Sequence, residues 1–330
     1  MGLISIFKSP RSTTVVLLLL LAIALNLNLL ISPPALSWPA TAPLYHQILS
    51  IVQQWGNSNP YLPPTIYITA IFLQALWLNS IINSNRLFER NHSLVALGYL
   101  LLLGLFNVQV YWSAPFLAVF PVLYLLNTLL AAYDTQTMAE PFDIGMAVGV
   151  ASLLYLPAAL LLIFAFISLF LMRIFGWRQW IICLFGVAVP YIWLMTGYYW
   201  QDKLSDFVQQ QFLQVSTGGN NETLSVVGGL IRLSLLGIIA LFVLGFLQAE
   251  FYRNMVKVRK FFTVLVYLTT IGMMTFLMLE KFSLAPIIFI LIPIASILGF
   301  VFNNVSKSRF ADIILLLLLA AIAGVQYLVV

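Results

Sequence analysis

FDIGMAVGVASLLYLPAALLLIFAFISLFLMR, residues 142–173, is overwhelmingly apolar yet too long for one ordinary membrane crossing, which takes about 20 residues. Its centre carries Tyr155-Leu156-Pro157, and the residue before a proline is pushed out of the helical region. The stretch therefore reads as two short helices. Each crosses only a thinned bilayer, so the pair is a hairpin that is either fully crossing or re-entrant and shielded by neighbouring helices. Gly145 and Gly149, with Ser152 close to the same face, form a GxxxG pattern that lets another helix approach closely.

Working outward, the chain of 330 residues is 62% hydrophobic and 8% charged, with a mean hydropathy of +1.03. A water-soluble domain of this length cannot bury so much apolar surface. Further apolar runs lie at 13–32, 64–85, 93–109, 115–133, 179–200, 226–247, 261–279, 285–303 and 311–329. With the hairpin they give about eleven membrane segments in a single all-α integral-membrane domain covering 1–330. The N-terminal run resembles a secretion signal, but the Ala40-Thr41-Ala42 triplet lies too far downstream, so it is expected to stay as the first span.

Charge then sets the orientation. Alternating the spans from a cytoplasmic N-terminus puts Lys8, Arg11, Arg86, Arg90, Arg173, Arg178, the cluster Arg253 to Lys260, Lys307 and Arg309 on one side. Only Lys203 and Lys281 fall opposite, and Arg232 lies inside a span. Treating 142–173 as one crossing would move the Arg253 to Lys260 cluster outside, against the inside bias of basic residues. The expected topology is N-terminus in and C-terminus out. The net charge of +5 suits anionic lipid and requires no nucleic acid.

Two outer loops carry amphipathic patterns, one within 33–63 (Leu44, Ile48, Leu49, Val52 and Trp55) and one within 201–225 (Leu204, Phe207, Val208 and Phe212). They shield helix ends or roof a lipid-facing groove. Arg232 sits about 9 Å into its span at 1.5 Å per residue. It either snorkels to the headgroups or holds a lipid phosphate, where Tyr198, Tyr199, Trp200 and Lys203 are candidate neighbours at the outer mouth. Asn79, Asn83, Arg86 and Arg90 share one side of the second span, as interhelical glue or a polar path. Glu140, Pro141 and Asp143 suit a helix N-terminus.

Catalytic patterns are sparse. The chain has no Walker loop, no HExxH, no plausible GxSxG set and one cysteine, Cys183. His46 and His92 fall on opposite sides, so neither a metal site nor a cofactor is expected. Asp202 and Asp206 share a helical face and are the weak catalytic candidates.

Ile6-Phe7-Lys8-Ser9-Pro10, Phe72-Leu73-Gln74-Ala75-Leu76 with Asn79, Phe142-Asp143-Ile144-Gly145 and Gly176-Trp177-Arg178-Gln179-Trp180 run through nearly the whole chain. On these markers the chain resembles a family of uncharacterised bacterial polytopic inner-membrane proteins. It is similar more loosely, in its short spans and outer loop helices, to membrane glycosyltransferases that use polyprenyl-phosphate sugars. That second resemblance implies an essential acid in the first outer loop; residues 33–63 contain none, which leaves Asp202 as a substitute. The expected function is non-enzymatic, the binding of a membrane lipid (polyprenyl phosphate among the candidates) or an envelope protein partner in cell-envelope biogenesis. The alternatives are a glycosyltransferase at the outer membrane face and a secondary transporter, for which Asn79, Asn83 and Arg232 are the only candidate groups.

Overall fold

The computed structural model describes residues 3–8, 12–34, 36, 42–88, 92–135, 138–172, 176–213, 226–250, 255–277, 283–304 and 308–328. All regular structure there is helical. In chain order the helices are α1 (Leu3–Phe7), α2 (Ser12–Leu25), α3 (Leu27–Ile31), α4 (Pro43–Ser58), α5 (Leu62–Ser84), α6 (Leu94–Gly104), α7 (Asn107–Val110) and α8 (Ala114–Thr135). There follow α9 (Ala139–Leu154), a 3₁₀ turn at Leu156–Leu160, α10 (Leu161–Leu171), α11 (Trp177–Trp200), α12 (Leu204–Val208) and a π turn at Gln209–Leu213. The chain continues through α13 (Val226–Glu250), α14 (Val256–Leu277), a 3₁₀ turn at Ala285–Ile287, α15 (Ile288–Asn304) and α16 (Ser308–Leu328). Prolines open α4, α5 and both 3₁₀ turns, positions where the missing N–H costs no hydrogen bond.

Among the described residues, six helices are long and apolar enough to cross a membrane: Leu62–Ser84, Ala114–Tyr133, Trp177–Trp200, Gly228–Ala249, Val256–Leu277 and Ala285–Asn304. Four shorter apolar helices accompany them. The protein is an all-helical multi-pass membrane protein. Residues 142–173 divide into α9 and α10, with Tyr155 extended (φ −147°, ψ 102°) at the break. The break falls one residue earlier than the proline argument alone would put it, because Leu156 already belongs to the 3₁₀ turn.

Two segments that read as continuous spans are interrupted. In an unbroken helix the Leu25 carbonyl would receive the Leu29 amide, but that amide turns to Asn26 O (3.1 Å). The Gly104 carbonyl would likewise receive Val108 N–H, which instead bonds Asn107 Oδ1 (2.9 Å). Both carbonyls are taken up by remote side chains. Gln326 Nε2 donates to Leu25 O (2.9 Å) and Gly104 O (2.7 Å), and Asn107 Nδ2 donates to Leu25 O (3.2 Å). Their partners lie far away in sequence, so no local pattern marks these breaks.

The bundle is built around α15, whose apolar window is 94% buried, and α6 crosses it with small residues on both sides. A Cβ on Gly98 would meet Ala295 O at 3.2 Å, and one on Gly299 would meet Val95 Cγ2 at 2.7 Å. At the edge, α11 is only 11% buried over its window and packs mainly on α9. Gly145 lies against the Cys183 carbonyl, Gly186 against the Phe142 carbonyl, and a Cβ on Gly149 would meet Val187 O at 2.7 Å. Backbone meets backbone here, the geometry that small residues permit in hydrocarbon. Cys183 is buried in this contact.

Helix α4 lies against α5 and α9 with Tyr45, Leu49 and Val52 buried. Tyr45 donates its hydroxyl to Trp112 O (2.8 Å), and Trp112 Nε1 donates to Pro63 O (3.1 Å). Those two bonds hold Trp112 in the left-handed region (φ 46°), where a bulky residue is strained.

The glycine contact predicts a contrast within one helix. Gly186→Ala should cost about 1–3 kcal/mol by overpacking, read as a lower thermal midpoint in mild detergent. Gly197→Ala, on the same helix with open space around it, should leave the midpoint unchanged or raise it.

Candidate functional site

The break after α6 shapes the region around Arg232. Leu105 follows the last residue of α6, and the single turn of α7 then carries Asn107 and Gln109. Asn107 serves the broken α2–α3 segment, whereas Gln109 meets α13. In the amide orientation that satisfies both groups, Gln109 Nε2 donates to Phe106 O (3.3 Å) and Oε1 accepts from Arg232 Nη1 (3.3 Å). Arg232 is 5% exposed, and its Nε has no partner among the described residues. Its guanidinium is buried within protein and does not extend along the lipid-facing surface.

Below this contact lies an open apolar cleft of about 250 Å³. Leu235, Ile239 and Phe242 of α13 line it, facing Leu298 of α15 and Leu318 of α16, with Leu105 closing the α6 side. Leu235 is one turn beyond Arg232 on the same helical face, and Gln109 is four residues beyond Leu105. The charged contact and the cleft thus share α13, and Leu105 and Gln109 lie on either side of the break between α6 and α7. The lining is wholly aliphatic and aromatic, suited to a hydrocarbon chain.

The other residues singled out in sequence lie elsewhere. Tyr198 accepts a hydrogen bond from Gln47 Nε2 (3.1 Å) and its ring is 5.3 Å from Phe207. Tyr199, Trp200 and Lys203 are exposed at the end of α11, and no described contact joins any of the four to Arg232. Asp202 and Asp206 are both exposed, Asp202 in a left-handed turn (φ 55°), without a described acid–base partner. No group of three His, Cys, Asp or Glu that could hold a metal occurs among the described residues.

The polar side of α5 is spread along its length. Asn79 is half-buried, Asn83 Nδ2 donates to His92 O (2.9 Å), and Arg86 is exposed in the left-handed region (φ 54°). Arg90 lies outside the described residues. Sequence reasoning missed Gln74, which is fully buried, donates to Phe116 O (3.2 Å) and accepts from Tyr99 Oη (2.9 Å). It ties α5, α6 and α8 together. Its signal was an amide seven residues from Tyr67, on one face of an apolar span. Gln109, also missed, gave no comparable signal.

No family model, curated protein or solved structure matches the chain.

His92 sits in the loop before α6, 2% exposed, with its ring 4.2 Å from Phe88. Nδ1 accepts the Leu94 amide (3.4 Å), so the proton belongs on Nε2, which has no partner among the described residues. Burial, reinforced by the positive Lys8, pulls the imidazole down to about 4. The unfolded chain, with a histidine near pKa 6.5, binds this proton more readily than the folded one. Folded stability should therefore fall as pH drops from about 6.5 to about 4, by at most roughly 3 kcal/mol from this residue. Unfolding midpoints in mild detergent across that range should show a steeper fall for wild type than for His92→Gln.

Proposed function

We propose that this protein holds a membrane lipid in the cleft between α13, α15 and α16, and that it does so without performing chemistry itself. The observation that carries this reading is the cleft: an apolar cavity between apolar helices, with the buried Arg232 one helical turn from Leu235 of its lining. A soluble substrate would find no polar group along its lining, whereas a lipid tail exchanges one hydrocarbon environment for another. The exposure of Asp202 and Asp206 gives the glycosyltransferase reading no assembled acid–base pair.

In this reading the chain lies in the bacterial inner membrane and serves cell-envelope biogenesis. Its N-terminus is cytoplasmic, its C-terminus is outside, and α9 and α10 form a hairpin within about eleven membrane segments. The basic cluster at the start of α14 supports that orientation: Lys257 and Lys260 lie 5.6 and 5.1 Å from the Tyr133 ring, where a cytoplasmic interface would sit.

The test is lipid retention. Wild type and Ile239→Trp are purified in mild detergent and their bound lipids counted by native mass spectrometry. Wild type should keep lipid through the purification, and the indole, filling the cleft, should reduce that lipid several-fold at equal yield. Equal retention by both proteins would refute the assignment of the cleft.

A further inference from the structure

We propose that Arg232 and Gln109 form a phosphate-recognition site at the outer end of the cleft, so that the lipid held there is a phosphate ester. This rests on the lipid reading of the cleft and adds the chemical class of the ligand.

A guanidinium taken out of water costs several kcal/mol unless an anion or a full set of acceptors replaces its hydration. Arg232 has neither among the described residues. Its one described partner is the neutral Gln109 amide, its Nε is buried without a bond, and no described carboxylate touches it. Guanidinium carries five N–H donors in a planar fork, so most of its capacity is left for a ligand. Glu222 and Glu280, both on the outer side by the sequence topology, lie outside the described residues.

Gln109 positions the charge. Its Nε2 donates to the Phe106 carbonyl, which also accepts the Val110 amide (3.0 Å), so its Oε1 is turned to Nη1 and steadies one edge of the fork. The helical face that carries Arg232 continues through Leu235 and Ile239 to Phe242, about 15 Å along the axis. An anion bound at Arg232 therefore has its attached chain led directly into the cleft. The arginine lies about 9 Å below the start of α13, so the headgroup is drawn beneath the ordinary interface.

Phosphate fits better than carboxylate. A fatty acid taken into an apolar site can escape the cost of its charge by protonation, whereas a phosphate ester stays ionised and answers the permanent charge of arginine. The fork also matches two phosphate oxygens at once.

The experiment compares lipids with identical chains. Delipidated full-length protein is offered phosphatidylglycerol against the matching diacylglycerol, and prenyl phosphate against the matching prenol, with oleate and inorganic phosphate as separate probes. Wild type should retain a phosphate lipid about ten- to a hundredfold over its phosphate-free twin. Arg232→Gln should erase that preference, Arg232→Lys should weaken it, and Gln109→Leu should reduce it. Equal retention of both twins by wild type would overturn the proposal without reference to any variant. So would a preference for oleate, or a preference that survives Arg232→Gln. Stabilisation by inorganic phosphate alone, without discrimination between twins, would overturn the lipid assignment in favour of a free anion. Ile239→Trp separates the two claims: undiminished retention there would remove the cleft, while a persisting difference between twins would keep the anion site.

Discussion

In hydrocarbon no water is present to bond a backbone carbonyl, so every interruption of a helix has to be answered by another part of the chain. Gln326 gives that answer twice, bonding both Leu25 O and Gly104 O. Because these carbonyls belong to two separately broken segments, one amide fixes the C-terminal part of α16 to α2 and α6 together. At the other end, the Ile4 amide donates to Asp312 Oδ1 (2.8 Å), holding α16 to α1. With α16 tied at both ends and α15 buried in the core, the wall opposite α13 is fixed in place. The cleft is what remains between that wall and α13.

The break after α6 also bears on Arg232. The Phe106 carbonyl accepts the Val110 amide (3.0 Å) and, in the orientation that satisfies both groups, Gln109 Nε2 (3.3 Å), which holds Gln109 on the turn of α7. Ending α6 at Gly104 releases one turn, whose Asn107 bonds Leu25 O at the α2–α3 break and whose Gln109 meets Arg232. Residues two positions apart thus serve different neighbours, Asn107 the α2–α3 segment and Gln109 the Arg232 guanidinium. The region around α4 and α12 is assembled separately, with Phe207 in aromatic contact with Tyr198 and Phe212.

The sequence carried the helical architecture because span-length apolar runs and their punctuation are local features. Tyr155-Leu156-Pro157 announced a break and one occurs there, displaced by a residue. The small residues at Gly145 and Gly149 were visible as a pattern, but Gly186 on the facing helix was not, since one sequence does not say which helices meet. Arg232 stood out as a charge within an apolar span. Its burial against Gln109 was hidden, because that contact depends on a break stabilised by Gln326 from the far end of the chain. The aromatic residues at the end of α11 share its side of the membrane in the sequence topology but no described contact with it. Which helices lie side by side is not legible from one sequence.

The account stands most directly on what occupies the space between α13 and α16 in a bilayer. A cryo-electron microscopy map of the protein in lipid nanodiscs is the decisive measurement. It should show elongated density running from Arg232 past Leu235 and Ile239 towards Phe242, widening at the guanidinium. A map in which α13 closes onto α16, or in which a carboxylate of this chain occupies the Arg232 fork, would contradict it.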